Sequence, residues 1–221
     1  MTQTQLITLT NPRSPVAEAY RSLRTNLEFA SLDRPLRSLV VTSPGPEEGK
    51  STALANLAVV TAEANRQVIL VDCDLRRPRQ HEIFGLPNDQ GLTNMVVDEK
   101  ALEKPPFREV GVGGLRVLTS GPLPPNPAEL LASRRMDDIL RVLVEQADLV
   151  LFDVPPVIAV TDAAIRASKV DGTLLLIGVG STRREHAQRA KEVLERVNAR
   201  LVGAVLMGVP FDESLHRYYA R

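Results

Sequence analysis

The sequence predicts an α/β domain: a mainly parallel sheet with helices on both faces, in three layers. Three observations carry this. Short, near-continuous apolar runs recur along the chain, as in RSLVVT, VILVD and TLLLIGV. Segments with helical spacing of apolar residues separate them. Strands without polar alternation are those covered on both faces, which a parallel sheet flanked by helices provides.

Each element follows in order. Residues 1–14 read as an irregular N-terminal arm. Pro15 to Ala30 reads as a helix, with Pro near its first turn and AEAYRSLRTNLEFA behind it. Strands are expected at 37–42, 68–72, 115–119, 148–153, 173–179 and 201–207. Helices are expected at Ser51 to about Ala64, 127–146, 161–168 and 183–198. Residues 85–126, which contain Gly111, Gly113, Gly114 and the PLPPNP run, read as a partly irregular excursion within the single domain 15–210. Residues 211–221 read as a polar tail containing tyrosines.

Bulk properties narrow the class. The 221 residues fit one domain. Lys plus Arg and Asp plus Glu are 27 each, so zero net charge argues against a general nucleic-acid footprint. The single cysteine, Cys73, excludes an intramolecular disulfide and suits a reducing cytoplasm. No apolar run approaches the roughly 20 residues that span a bilayer. The N-terminus lacks the basic start and apolar stretch of a secretory signal.

The segment SLVVTSPGPEEGKSTALANLAVV runs strand, loop, helix, with Gly49-Lys50-Ser51-Thr52 at its centre. Backbone N–H groups at a helix start cradle anions. Lys50 is placed to reach the outer phosphates, and the Ser51 hydroxyl to ligate Mg²⁺. Gly45, Glu47, Glu48, Gly49, Lys50, Ser51 and Thr52 thus form a candidate nucleotide-binding loop, and the fold class becomes a three-layer P-loop NTPase. The loop departs from the usual pattern. Pro44 stands six residues before the lysine where Gly is usual, and Glu47 stands where a glycine with positive φ is expected. A Gly/Pro turn with a solvated lysine is the competing reading.

VILVDCDLRRP ends one strand on Asp72 and Asp74, and DLVLFDVPP ends another on Asp153. Ligands of open parallel sheets sit at the carboxyl ends of strands, so all three aspartates are expected beside the phosphate loop. A carboxylate there can hold Mg²⁺, and a spare one can accept a proton. A single such aspartate is often only a turn or cap residue.

These segments resemble the bacterial tyrosine kinases of polysaccharide export. The resemblance covers about residues 14–210. EAYRSLRTNL, SPGPEEGKST, VILVDCDLRRP, SGPLPPNPAELL and LVLFDVPPV carry it. It implies ATP and Mg²⁺ as cofactors. Lys50, Asp72, Asp74 and Asp153 become the catalytic set, with metal on Ser51, Asp74 and Asp153 and with Asp72 as base for a tyrosine hydroxyl. Arg76 becomes a phosphate or neighbouring-subunit contact. Tyr218 and Tyr219 become the phosphoacceptors of an autophosphorylating tail.

Glu18, Arg21 and Arg24 share one stripe of the first helix. Spacing alone reads as a solvated charged face with an internal pair; the resemblance points instead to oligomerisation, in a ring-shaped homo-oligomer. It further implies a membrane adaptor as activator, a cognate tyrosine phosphatase, no nucleic-acid partner, and a cytoplasmic protein held at the inner face of the membrane through a partner. Three departures bear on activity: Glu47, Met207 where relatives often carry Asn, and a tail of only two tyrosines. They favour, as a second reading, a weak or inactive regulatory subunit. A MinD/ParA-type ATPase switch is a third, and Gly45 in the place of that group's second lysine argues against it.

Overall fold

The computed structural model describes residues 5–210. They form a seven-stranded sheet. In chain order the strands are β1 Ser38–Thr42, β2 Val68–Asp72, β3 Arg108–Glu109, β4 Leu115–Leu118, β5 Leu149–Asp153, β6 Gly172–Gly178 and β7 Leu201–Met207. Their order across the sheet is β3-β4-β2-β5-β1-β6-β7. All pairs are parallel except β3 with β4, which is antiparallel and closes one edge.

The helices are α1 Ile7–Thr10, α2 Pro15–Phe29, α3 Lys50–Ala62, α4 Gln80–Phe84, α5 Leu92–Val97, α6 Glu99–Glu103, α7 Pro127–Ala132, α8 Arg134–Glu145, α9 Asp162–Ala167 and α10 Arg184–Arg196. Two apolar cores sandwich the sheet because successive strand side chains point to opposite faces. Leu39, Val41, Val68, Leu70 and Leu151 join Leu6, α2 and α3 on one face. Val40, Ile69, Val71, Val150 and Phe152 join α5, α8, α9 and α10 on the other. Phe152 is fully buried, and its truncation to Ala costs about 3–5 kcal/mol.

Local chemistry sets the helix ends. Ser14 caps α2 by accepting the Ala17 N–H at 3.1 Å, with Pro15 in the first turn. Helix α3 is buried on nearly every side, between the sheet and α2, which explains its run of small and aliphatic residues.

Three expectations are corrected. The arm 1–14 is not wholly irregular: α1 lies within it, and Thr8 is buried and donates through N and Oγ1 to Asn56 Oδ1. The helix expected over 127–146 is two helices. Ser133 is extended at φ −68, ψ 153, ends α7 and caps α8 by accepting the Met136 N–H, so one hydroxyl turns the chain. The excursion 85–126 is more ordered than expected, holding α5, α6 and β3 as well as β4.

Candidate active site

Parallel register brings the site together. Asp72 is level with Asp153 across β2 and β5, and Val41 is level with Asp153 across β1 and β5. The carboxyl ends of these three strands therefore share one edge. The chain leaves β1 at this edge and enters the phosphate loop.

The loop runs from Ser43 to Gly49. Glu47 has φ +60 and Gly49 φ +77, so the left-handed backbone expected at Glu47 is present without a glycine. A non-glycine residue there costs about 1–2 kcal/mol. Glu48, part of the candidate nucleotide-binding loop, lines the cavity beside it and also bonds the backbone. Its Oε1 accepts the Gly45 N–H at 3.0 Å and its Oε2 the Gly178 N–H at 3.3 Å, tying the loop to the end of β6. Lys50, Ser51 and Thr52 form the first turn of α3, whose N-terminal N–H groups lack intrahelical partners.

Lys50 is 8% exposed. Its Nζ lies 2.6 Å from Asp153 Oδ1, 3.5 Å from Asp74 Oδ2 and 3.3 Å from Ser51 Oγ. Burial works against its charge, but the carboxylates of Asp153 and Asp74 outweigh burial and raise its pKa above the usual lysine value. The ammonium thus occupies a cation position among three oxygens that sequence reading assigned to metal.

This donor set fits a magnesium ion. Two carboxylates, of Asp74 and Asp153, contact the single ammonium of Lys50, with the carboxyl of Asp72 behind them, an excess of negative charge. Among the described residues, no three His, Cys, Asp or Glu side chains form an all-protein metal cage. Magnesium rarely needs one: it binds through one or two carboxylates plus substrate phosphates and keeps several waters.

Asp72 is fully buried. Its Oδ2 accepts the N–H groups of Arg79 at 3.0 Å and Gln80 at 2.8 Å, and its Oδ1 that of Asp74 at 3.2 Å. Burial and the neighbouring Asp153 carboxylate push its pKa up to about 8, against the pull of the Gln80 N–H and Lys50. Cys73 between the aspartates is buried, and burial pushes its thiol up, so it packs and is no nucleophile.

Two site residues escaped sequence reading. Gln80 opens α4, fully buried, and its Nε2 donates to Asp153 Oδ2 at 2.8 Å and to the Ser51 carbonyl at 3.1 Å. A five-residue helix offers no periodicity to find it. Asp162, at the start of α9, takes a two-pronged hydrogen bond from Arg76, at 2.9 Å from Nε and 3.0 Å from Nη2. Arg76 therefore braces the loop after β2 against α9 in this conformation. An arginine within an aspartate motif was the available signal that an acidic partner was needed.

A cavity of about 300 Å³ opens beside the loop, lined by Gly49, Lys50, Ser51, Thr52, Asp74, Arg77 and Pro156 among others. A cavity of similar volume lies at the opposite end of the sheet, around Arg24, Glu28, Leu36 and Leu149, and has no phosphate loop. On α2, Arg21 pairs with Glu18 at 3.2 Å, and Arg24 donates to the Val60 carbonyl at 3.0 Å. Met207, at the end of β7, brings its Cε within 3.9 Å of where a Gly49 Cβ would stand. Tyr218 and Tyr219 lie outside the described residues.

Comparison with known proteins agrees with this geometry. Residues 39–221 match the CobQ/CobB/MinD/ParA nucleotide binding domain. The chain is 44% identical over 218 residues to tyrosine-protein kinase YwqD of Bacillus subtilis, covering 98% of this chain and 92% of that protein. It is 36% identical over 208 residues to the putative tyrosine-protein kinase CapB of Staphylococcus aureus, covering 94% and 91%. Among solved structures, it matches the kinase domain of Escherichia coli tyrosine kinase ETK with a TM-score of 0.90 at 34% identity, over 97% of this chain and 84% of that one. A phosphate loop facing two aspartate-ending strands, in a chain this similar over nearly its whole length, identifies the family: the chain belongs to the bacterial tyrosine-protein kinases, within the CobQ/CobB/MinD/ParA nucleotide-binding domains.

Proposed function

We propose that the protein is an ATP-dependent protein-tyrosine kinase that phosphorylates its own C-terminal tail and thereby regulates synthesis and export of capsular or extracellular polysaccharide. The observation that carries this reading is the convergence of Lys50, Ser51, Asp74 and Asp153 at the phosphate loop.

The chemistry follows from the residues. Phosphates of ATP meet the free N–H groups and positive dipole end of α3. Lys50 exchanges Asp153 for the outer phosphates, a short move for a flexible side chain. Ser51, Asp74 and Asp153 would hold Mg²⁺, which when bound neutralises charge on the β- and γ-phosphates. The tyrosine oxygen attacks the γ-phosphorus in line, the bond to the β–γ bridging oxygen breaks, and ADP leaves. The tyrosine proton goes to Asp72. Because Asp72 is buried beneath three N–H groups, this role requires the 73–80 loop to shift as the tyrosine enters.

Tyr218 and Tyr219 are the proposed acceptors, presented to a neighbouring subunit in a ring-shaped homo-oligomer. Glu18, Arg21 and Arg24 are the proposed contact, exchanging their internal partners for those of a neighbour. The protein would work in the cytoplasm at the inner face of the membrane, recruited by an adaptor and reset by a tyrosine phosphatase. Among the described residues no helix is long and apolar enough to cross a membrane.

Glu47 favours a second reading, a weak or inactive regulatory subunit, because it strains the loop and sets a carboxylate on the cavity wall. Label from the γ-phosphate of ATP separates the two. Mg²⁺-dependent transfer to tyrosine supports the kinase; nucleotide binding without transfer supports the regulatory subunit.

A further inference from the structure

Gln80 joins the site by three bonds. Its backbone N–H donates to Asp72, and its side-chain Nε2 donates to both Asp153 and the Ser51 carbonyl. One fully buried residue thus links the ends of β2 and β5 to the first turn of α3. The two acceptors on Nε2 set the amide's orientation, since turning it over would bring Oε1 against a carboxylate and a carbonyl oxygen. In that orientation Oε1 is buried and accepts no hydrogen bond from any described residue.

Asp153 is held at both oxygens: Oδ1 by Lys50 and Oδ2 by Gln80. When phosphate draws Lys50 away, only Oδ1 is released. A carboxylate otherwise rotates freely about its last torsion and offers either oxygen. We infer that Gln80 is a positioning residue for magnesium: it holds Oδ2 of Asp153 so that Oδ1 is the oxygen offered to the ion. The inference rests on the reading of Ser51, Asp74 and Asp153 as the metal site.

The backbone N–H survives substitution, so the anchor on Asp72 is separable from the side chain. Gln80→Met keeps approximate volume and α4 while removing both side-chain bonds. Calorimetric titration of the full chain with ADP, in excess Mg²⁺ and in EDTA, reads the metal's contribution without turnover. An outer partner of a metal ligand is worth about 10–100-fold in metal affinity. We expect the Mg²⁺-dependent gain in ADP affinity to fall by that factor in Gln80→Met, with affinity in EDTA unchanged. A parallel Mn²⁺ titration followed by electron paramagnetic resonance should show the same loss. Gln80→Asn, too short to span both acceptors, should behave likewise and serves if the Met variant does not fold. A gain equal to wild type overturns the inference, as does an equal loss of ADP affinity with and without metal, which would make Gln80 a support of the loop alone. A wild type whose ADP affinity ignores Mg²⁺ removes the metal site itself, and the inference with it.

Discussion

The Nζ of Lys50 lies 2.6 Å from Oδ1 of Asp153, an ion pair with both side chains buried. The residue proposed to bind phosphate is thus also the counter-ion of the carboxylate cluster. Lys50→Met should abolish nucleotide binding and also destabilise the nucleotide-free protein. Removing one partner of a buried pair costs about 3–5 kcal/mol, less where the carboxylates left behind take up protons. Urea unfolding of nucleotide-free wild type and variant checks this; equal midpoints would mean the pair contributes no net stability.

Asp74→Asn and Asp153→Asn should each weaken Mg²⁺-dependent ADP binding, Asp74→Asn more. Asp153→Asn also removes the 2.6 Å ion pair that Lys50 must give up to reach phosphate, which offsets part of its loss, whereas Asp74 is the more distant partner at 3.5 Å. Titrations with and without Mg²⁺ read the difference, and equal effects would contradict the ranking.

Asp72→Asn tests two roles together. An asparagine offers one oxygen where the carboxylate offers two to three N–H donors, so about 1–3 kcal/mol of stability should be lost. If Asp72 is also the base, phosphoryl transfer should slow by orders of magnitude with ADP affinity retained. Transfer at the wild-type rate would leave Asp72 a purely architectural residue.

Glu47→Gly should change stability little. Relief of the left-handed strain, about 1–2 kcal/mol, is offset in part by the entropy of a new glycine, about 0.5–1 kcal/mol. Nucleotide affinity should rise several-fold, because a carboxylate leaves the cavity wall. Calorimetry showing unchanged affinity would clear Glu47 of any effect on binding.

Triple alanine replacement of Glu18, Arg21 and Arg24 should give a folded monomer by sedimentation. Arg24 also holds the Val60 carbonyl on α3, so a modest loss of melting temperature is expected alongside. An assembly identical to wild type would place the interface elsewhere.

The main strands were legible because buried parallel strands are apolar throughout, and their ends needed only one or two residues of correction, as at Leu149 and Gly172. The site was legible wherever a side chain belongs to a local motif: Lys50, Ser51, Asp74 and Asp153 come together as expected. What stayed hidden depends on contacts distant in sequence. Gln80 meets Asp153 across 73 positions, and Arg76 meets Asp162 across 86. Glu48 lines the cavity beside the loop, and its bridge to Gly178, 130 positions away, was likewise hidden. The break at Ser133 was missed because apolar spacing continues through it, and only the serine's capping bond interrupts the helix.

The most direct test of the account is phosphotyrosine mapping by mass spectrometry after purified protein is incubated with ATP and Mg²⁺. Wild type should carry phosphate on Tyr218, Tyr219 or both, with none in EDTA and none in Lys50→Met. Tyr218→Phe combined with Tyr219→Phe should remove the signal while leaving melting temperature and Mg²⁺-ADP affinity unchanged. A wild type that binds Mg²⁺-ATP but carries no phosphotyrosine, with a lower melting temperature in the double Phe variant, would contradict the kinase assignment and make the tail tyrosines structural.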